Sequence, residues 1–357
     1  PVFHQLAWAG HNAGAYYTAI SWRFGDDEIA FIIENCDASL VFFTDKQAEL
    51  VDRLRPRLKD VTFVNVSDGS FASDYPDSPI PDESRGSDML YSSGSTGRPK
   101  GIKQALPDAG VDGLSKMFSI YKERYDWGDD TVYLMPCPLY HSGPLRFAMA
   151  MQHVGATMLV MDKFNAEEAL SIVERYGVTN AQWVPTMIVR LLKLPQAVKD
   201  KYDLSTLEVI IHGAAPIAPD VKHEALKWFG PILEESYGGT EGNGLTMITS
   251  QEWLEHPGSV GRPFLGAIHV LDDNGKELPT GEIGTIWFSG GPDFIYHKDP
   301  DRTREAHDSG GRSTLGDIGY VDEEGYVYLT DRRSNMVISG GVNVYPQEAE
   351  NRLMSHS

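Results

Sequence analysis

Apolar positions along the chain fall into two grammars. Ile29, Ile32, Ile33 and Cys36 recur at i, i+3, i+4 and i+7, one face of a helix, and Leu40-Val41-Phe42-Phe43 follows as a buried strand. The pattern returns with Ala166, Ala169, Leu170 and Val173, a stop at Gly177, and the strand Ala181-Gln182-Trp183-Val184. It returns again with Leu207-Glu208-Val209-Ile210-Ile211, a helix opened by Pro219 that runs through Trp228 and Phe229, and then Ile232-Leu233. Alternating helix and strand predicts an α/β fold of layered, largely parallel sheets.

After about residue 256 the period shortens. Ile268-His269-Val270-Leu271 meets the turn Asp272-Asp273-Asn274-Gly275, and Gly284-Thr285-Ile286-Trp287-Phe288 follows. Tyr320-Val321 and Tyr326-Val327-Tyr328-Leu329 make a second hairpin across Asp322-Glu323-Glu324-Gly325. A small antiparallel β subdomain is therefore expected. The expected divisions are 1–255 for the α/β portion, 256–331 for the β subdomain and 332–357 beyond it. Residues 66–88, rich in Ser, Asp and Pro, read as a surface crossing.

Composition narrows the partners. The 51 acidic and 31 basic residues leave a net charge of −20 with no basic patch, which disfavours nucleic acid and anionic membranes. Cys36 and Cys137 belong to no C-x-x-C or Cys/His cluster, and neither has a neighbouring base or cation. Small buried side chains in a reducing, cytosolic setting are expected. No apolar run approaches the about 18 residues of a membrane span. The opening Pro1-Val2-Phe3-His4-Gln5-Leu6 lacks the parts of a signal peptide, and both chain ends are abrupt, as in a fragment.

The stretch Tyr91-Ser92-Ser93-Gly94-Ser95-Thr96-Gly97-Arg98-Pro99-Lys100-Gly101 carries the most chemistry. Small residues bring backbone N–H groups close to an anion, hydroxyls add donors, and Lys100 adds a point charge, a set suited to polyphosphate. It is not a Walker A loop, because Pro99 precedes Lys100 and Gly101 follows it. On composition alone it also reads as an ordinary loop.

The full order resembles the phosphate-binding signature of the adenylate-forming superfamily: acyl- and aryl-CoA synthetases, luciferase-like enzymes and nonribosomal-peptide adenylation domains. Further matches follow in order: Pro138-Leu139-Tyr140-His141-Ser142-Gly143, the turn Gly213-Ala214-Ala215-Pro216, Tyr237-Gly238-Gly239-Thr240-Glu241, Asp317, and Asp331-Arg332 ahead of Gly340-Gly341-Val342-Asn343-Val344-Tyr345-Pro346. The resemblance runs from end to end and is nearest to bacterial fatty-acyl-CoA or steroid-acid-CoA ligases. It implies the large N-terminal domain of these enzymes, with the C-terminal domain mostly absent.

What it implies for each residue stands beside a plainer reading. Ser92, Ser93, Gly94, Ser95, Thr96, Gly97 and Lys100 would cradle the ATP phosphates, and Gly213, Ala214, Ala215 and Pro216 would lie on adenine. Tyr237, Gly238, Gly239 and Thr240 would complete the nucleotide site. Glu241 would offer a hard oxygen to Mg²⁺, assisted by Thr96; alone, Glu241 reads as a solvated acid beside a glycine turn. Asp317 would accept both ribose hydroxyls, although Leu-Gly-Asp before a hairpin is also ordinary turn chemistry. Arg332 would reach ribose or phosphate, or pair with a neighbouring acid. His141 would gate the acyl pocket, although such a histidine is more often a core residue. Thr96, Lys100, His141 and Glu241 form the expected catalytic set.

The implied reaction has two halves: a carboxylate attacks the α-phosphate of ATP, releasing pyrophosphate, and a thiol, that of coenzyme A in the nearest relatives, then attacks the acyl-adenylate. The family's C-terminal domain supplies a lysine to the first half, and no lysine follows Lys298 here. A remainder that is mobile, or else removed, is the expectation. Departures from the pattern are Ser334 at the hinge pivot, Leu315 before Gly316, and Arg312 where an aromatic is frequent.

By the same resemblance His141, Trp183, Val184, Met187, Gly213 and Gly239 line the acyl pocket. No basic residue stands out for a second carboxylate, and no acid for a substrate ammonium. A medium- or long-chain fatty acid, or a bulky steroid-like acid, is the expected small-molecule partner. Transfer to a carrier-protein thiol, and a binding relative without turnover, are the alternatives. Dimers are common among such relatives, so a homodimer is compatible with the resemblance.

Overall fold

The computed structural model describes residues 2–76, 78, 80–92, 98–108, 110–332, 337–339, 342–344 and 353. Two compact units emerge, each discontinuous in sequence: Pro1–Gly113 with Tyr140–Ser142 and Phe294–Thr303, and Leu114–Leu139 with Gly143–Asp293 and Arg304–Ser357.

In the first unit the helix Asp26–Asn35 buries Ile29, Ala30, Ile32 and Ile33, the face foreseen from their spacing. The strand Leu40–Phe43 follows, but it is not a buried one. Among the described residues it pairs only with the parallel strand Thr62–Asn65, and Leu40 and Phe42 are exposed. A three-stranded sheet joins Leu90–Ser92, Lys100–Lys103 and Ile295–Tyr296. Ser92 and Lys100 are antiparallel partners in it, so the flanks of the phosphate-loop signature are held side by side.

The second unit is built on a seven-stranded sheet. Its strands in chain order are β1 (Val132–Met135), β2 (Thr157–Val160), β3 (Asn180–Trp183), β4 (Val209–Gly213), β5 (Leu233–Gly238), β6 (Leu245–Ile248) and β7 (Arg262–Leu265). The spatial order is β7-β6-β5-β4-β3-β1-β2. β1 to β5 run parallel, and β6 and β7 are antiparallel additions. Ile210 and Ile211 of the central β4 are buried together, as expected for a strand covered on both faces.

Helices α1 (Lys116–Tyr125), α2 (Ala166–Tyr176) and α3 (Pro219–Phe229) belong to this unit. In α2 the Asn165 side chain caps the Glu168 N–H at 3.0 Å, and Gly177 ends the helix at φ 63°. Pro219 opens α3 at a position where its missing N–H is not needed. The hydrophobic cluster around the sheet includes Trp127, Tyr133, Trp183, Ile188, Ile210 and Leu233.

A four-stranded antiparallel sheet, β8 (Ala267–Leu271), β9 (Gly284–Ser289), β10 (Arg312–Val321) and β11 (Val327–Arg332), has its own core of Val260, Val270, Ile286, Phe288 and Val327. The small antiparallel subdomain expected from the hairpin signals is present.

Candidate active site

Parallel strands of an open α/β sheet deliver their following residues to one edge, where ligands of such folds bind. Three groups of expected site residues in the second unit obey this geometry, while Asp317 and Arg332 come from the antiparallel sheet. Val184 and Met187 follow β3, Gly213 to Pro216 leave β4, and Gly238 to Glu241 leave β5. The register holds these ends level, with Trp183 opposite His212 and Gly213 opposite Ser236.

At the end of β4 the chain approaches β5 so closely that a Cβ on Gly213 would stand 2.4 Å from the Ser236 carbonyl oxygen. Ala214 follows at φ 67°, a left-handed conformation that costs an L-residue roughly 1–2 kcal/mol. Ala214, Ala215 and Pro216 are exposed, forming an open turn of small side chains. Strain at an exposed turn where strands end is a mark of functional sites.

At the end of β5 the Tyr237 hydroxyl donates to Asp317 Oδ2 at 2.7 Å, and the Tyr237 ring lies 5.9 Å from that of Phe288. Asp317 is a buried residue of β10, and its Cα faces that of Arg332 at the end of β11. The aromatic ring and the acid named separately as nucleoside contacts are thus bonded to each other.

Gly239 lies close to the ends of two side chains. A Cβ there would come within 2.7 Å of both Glu241 Oε2 and Leu315 Cδ2. Glu241 itself is only 5% exposed. Among the described residues no group of three or more His, Cys, Asp or Glu side chains could hold a metal. One buried carboxylate nevertheless fits Mg²⁺, which is commonly bound through one or two carboxylates with water and substrate phosphates completing the shell. Thr240 is half-buried beside it.

On the acyl side Trp183 is fully buried, with its ring 5.2 Å from Phe229 of α3, so it belongs to the core. Met187 is buried and Val184 half-buried. Gln182 points to the other face of β3, where its Oε1 is buried and has no hydrogen-bond partner among the described residues. A Cβ on Gly143 would stand 3.3 Å from its Nε2. Gln182 escaped the sequence reading, although a lone amide between Ala181 and Trp183 was the available signal.

Ser92, Lys100 and His141 lie in the first unit. The Ser92 hydroxyl oxygen is buried without a hydrogen-bond partner among the described residues. Lys100 Nζ donates to the Tyr296 hydroxyl at 2.9 Å and stands 4.4 Å from that ring's centroid. His141 is tilted against Tyr140 with ring centroids 4.7 Å apart. Partial burial of the imidazole, and then the positive charge of Arg23, lower its pKa and favour the neutral ring. Ser93, Gly94, Ser95, Thr96, Gly97 and Ser334 lie outside the described residues, and Arg332 is described only by its backbone.

Both cysteines are free. Burial pushes the Cys137 thiol up to about 12 and raises that of Cys36, so neither presents a thiolate at neutral pH. No helix among the described residues is long and apolar enough to cross a membrane.

Residues 3–292 match the AMP-binding enzyme family. A fatty acid–[acyl-carrier-protein] ligase of Streptomyces coeruleorubidus is 29% identical over 99% of this chain and 70% of its own length. A medium/long-chain-fatty-acid–CoA ligase of Mycobacterium tuberculosis is 34% identical over 75% of this chain, and the match spans 46% of that protein, about half its length. Among solved structures, ATP-bound MatB of Rhodopseudomonas palustris is 28% identical with a TM-score of 0.81, covering 96% of this chain and 69% of MatB. The chain therefore belongs to the AMP-binding enzyme family, and its fold is that of the N-terminal domain of adenylate-forming enzymes.

Proposed function

We propose that this protein adenylates a hydrophobic carboxylic acid with ATP and passes the acyl group to the thiol of coenzyme A. The observation that carries the reading is the Tyr237–Asp317 bond at the mouth of the parallel strands, with buried Glu241 four residues further along. One residue offers a flat ring to a purine, the next a bidentate acceptor to ribose, and the third a hard oxygen to a cation.

In this reading the substrate carboxylate attacks the α-phosphorus, a P–O bond forms, and the bond to pyrophosphate breaks. The acyl carbonyl is then attacked by the thiol sulfur, which loses its proton as AMP departs. The first half brings anion to anion, so oriented positive charge decides its rate. Lys100 and Thr96 are assigned to the phosphates, with Arg332 at ribose or phosphate. Glu241 with Thr96 would hold Mg²⁺, which would supply charge neutralisation on the phosphates. Ser92, Ser93, Gly94, Ser95 and Gly97 complete the phosphate cradle, and the turn 213–216 receives adenine. His141, Val184 and Met187 are assigned to the acyl side, with a neutral imidazole able to face an apolar chain. Ser334 is assigned to the hinge, and a reducing cytosolic setting accords with two free thiols.

A carrier-protein thiol is the second acceptor, favoured by the carrier-protein ligase that aligns with nearly the whole chain. Pyrophosphate release measured with medium-chain, long-chain and steroidal acids, followed by product analysis with coenzyme A or a phosphopantetheinylated carrier, tests the reading. Acid-dependent release with a CoA thioester product is expected. Thioester on the carrier alone would transfer the assignment to the second acceptor.

A further inference from the structure

We propose that Lys222, Glu235 and His212 form a buried positioning cluster that holds the turn 213–216 against the end of β5. The inference rests on assigning that turn and Tyr237 to nucleotide binding.

The three residues come from the three elements that bound the turn. His212 is the residue of β4 immediately before Gly213, Lys222 lies in the first turn of α3, the helix that follows the turn, and Glu235 lies on β5 two residues before Tyr237. Lys222 Nζ donates to Glu235 Oε2 at 2.6 Å, and His212 Nε2 stands 3.7 Å from the same oxygen. His212 and Lys222 are both 0% exposed. Lys222 also stands 4.8 Å from the centroid of the Trp253 ring. One carboxylate oxygen therefore ties the helix after the turn to the strand that carries Tyr237, and the buried imidazole of the strand before the turn packs beside it without a hydrogen bond among the described residues.

The opposite face of β5 is held as well. Glu234 accepts from the Tyr125 hydroxyl of α1 and lies 3.7 Å from the Arg124 guanidinium. Successive carboxylates thus grip the strand from both sides just below its functional end. A buried ion pair contributes little net stability, because desolvation offsets its Coulomb gain. Its directional contacts instead restrict how the joined elements slide, and the turn they bound contains the strained Ala214.

The test uses ATP affinity by calorimetry, thermal melting, and hydrogen exchange of the peptide covering 213–218, for the wild type and three variants. Lys222→Met and Glu235→Gln each leave one buried partner unmatched and are expected to lower Tm. The double variant removes the ion pair while conserving side-chain volume, and it is expected to fold. It should bind ATP about tenfold more weakly, a loss of about 1.4 kcal/mol, with faster exchange at 213–218 and unchanged exchange in α2. Wild-type ATP affinity in the folded double variant would overturn the proposal. So would failure of the double variant to fold, which would make the cluster a requirement of the core itself. A wild type that binds no ATP would remove the nucleotide assignment along with it.

Discussion

The Tyr237 hydroxyl donates to Asp317 Oδ2 at 2.7 Å, joining the end of the parallel sheet to the antiparallel one across 80 residues of sequence. The bond fixes one lone-pair direction of the carboxylate that the proposed reading assigns to ribose. Asp317→Ala should therefore weaken ATP binding by about 2 kcal/mol, roughly thirtyfold, the scale of hydrogen bonds to a charged acceptor. Tyr237→Phe keeps the ring and should lose no more than about 1 kcal/mol. Calorimetric titration of both variants with ATP checks the order; equal losses would mean that Asp317 acts only through Tyr237.

Glu241→Gln preserves shape and removes the charge offered to Mg²⁺. Adenylation should fall on the order of a hundredfold, with the Mg²⁺ concentration for half-maximal rate displaced upward and the melting curve little changed. Wild-type kinetics at every Mg²⁺ concentration would take Glu241 out of the reaction.

Lys100 is held from two sides of one residue, by the Tyr296 hydroxyl and by the face of its ring. Lys100→Ala should raise KM for ATP more than it lowers kcat, because backbone donors remain in a loop of this composition. Tyr296→Phe retains the ring beneath the ammonium and should show a smaller shift in the same direction, of about 1 kcal/mol or less. A change confined to the KM of the acid would place the lysine elsewhere.

Burial lowers the pKa of His4 below the ordinary 6.5 and that of His212 well below it. The unfolded chain then takes protons first, so the contribution of these groups is present above pH 6.5 and lost as the pH falls below it. Burial raises the Glu234 carboxyl, which acts in the opposite sense upward from its ordinary 4.5. Tm should decline between pH 7.5 and 5.5, by up to about 1.4 kcal/mol of stability per pH unit for each proton taken up. His212→Gln should show a shallower slope; an unchanged slope would mean that His212 does not titrate with unfolding.

Trp183 and Gln182, adjacent on β3, should separate stability from selectivity. Trp183→Ala opens a core cavity and should cost about 3–5 kcal/mol whatever acid is used. Gln182→Leu removes a buried oxygen that has no hydrogen-bond partner among the described residues, and it should leave stability within about 1 kcal/mol of wild type while altering preference among acids. Melting curves and an acid panel on both variants decide this, and a reversed pattern would move the pocket wall to Trp183.

The helices and parallel strands were legible because each carries its own hydrophobic period, and the family because its motifs' glycines and acids stand in an order that few folds require. Three features were not. Leu40-Val41-Phe42-Phe43 reads as buried from its own composition, but exposure depends on how many strands flank it, and among the described residues it has one. Which of Gln182 and Trp183 faces the core cannot be read from a strand covered on both sides, where alternation disappears. Lys222 on an amphipathic helix looks like part of a solvated face, and only the fold brings Glu235, thirteen residues on, within 2.6 Å. Similarly, the compact units are assembled from distant segments, which a division by composition at about residue 256 does not anticipate.

The most direct measurement is Mg²⁺-dependent ATP–pyrophosphate exchange by the protein with short, long, aromatic and steroidal acids, alongside Asp317→Ala. Exchange stimulated by an apolar acid, and lost in the variant, is the expected result. ATP binding without exchange in the presence of any acid of the panel would contradict adenylation as the chemistry of this site.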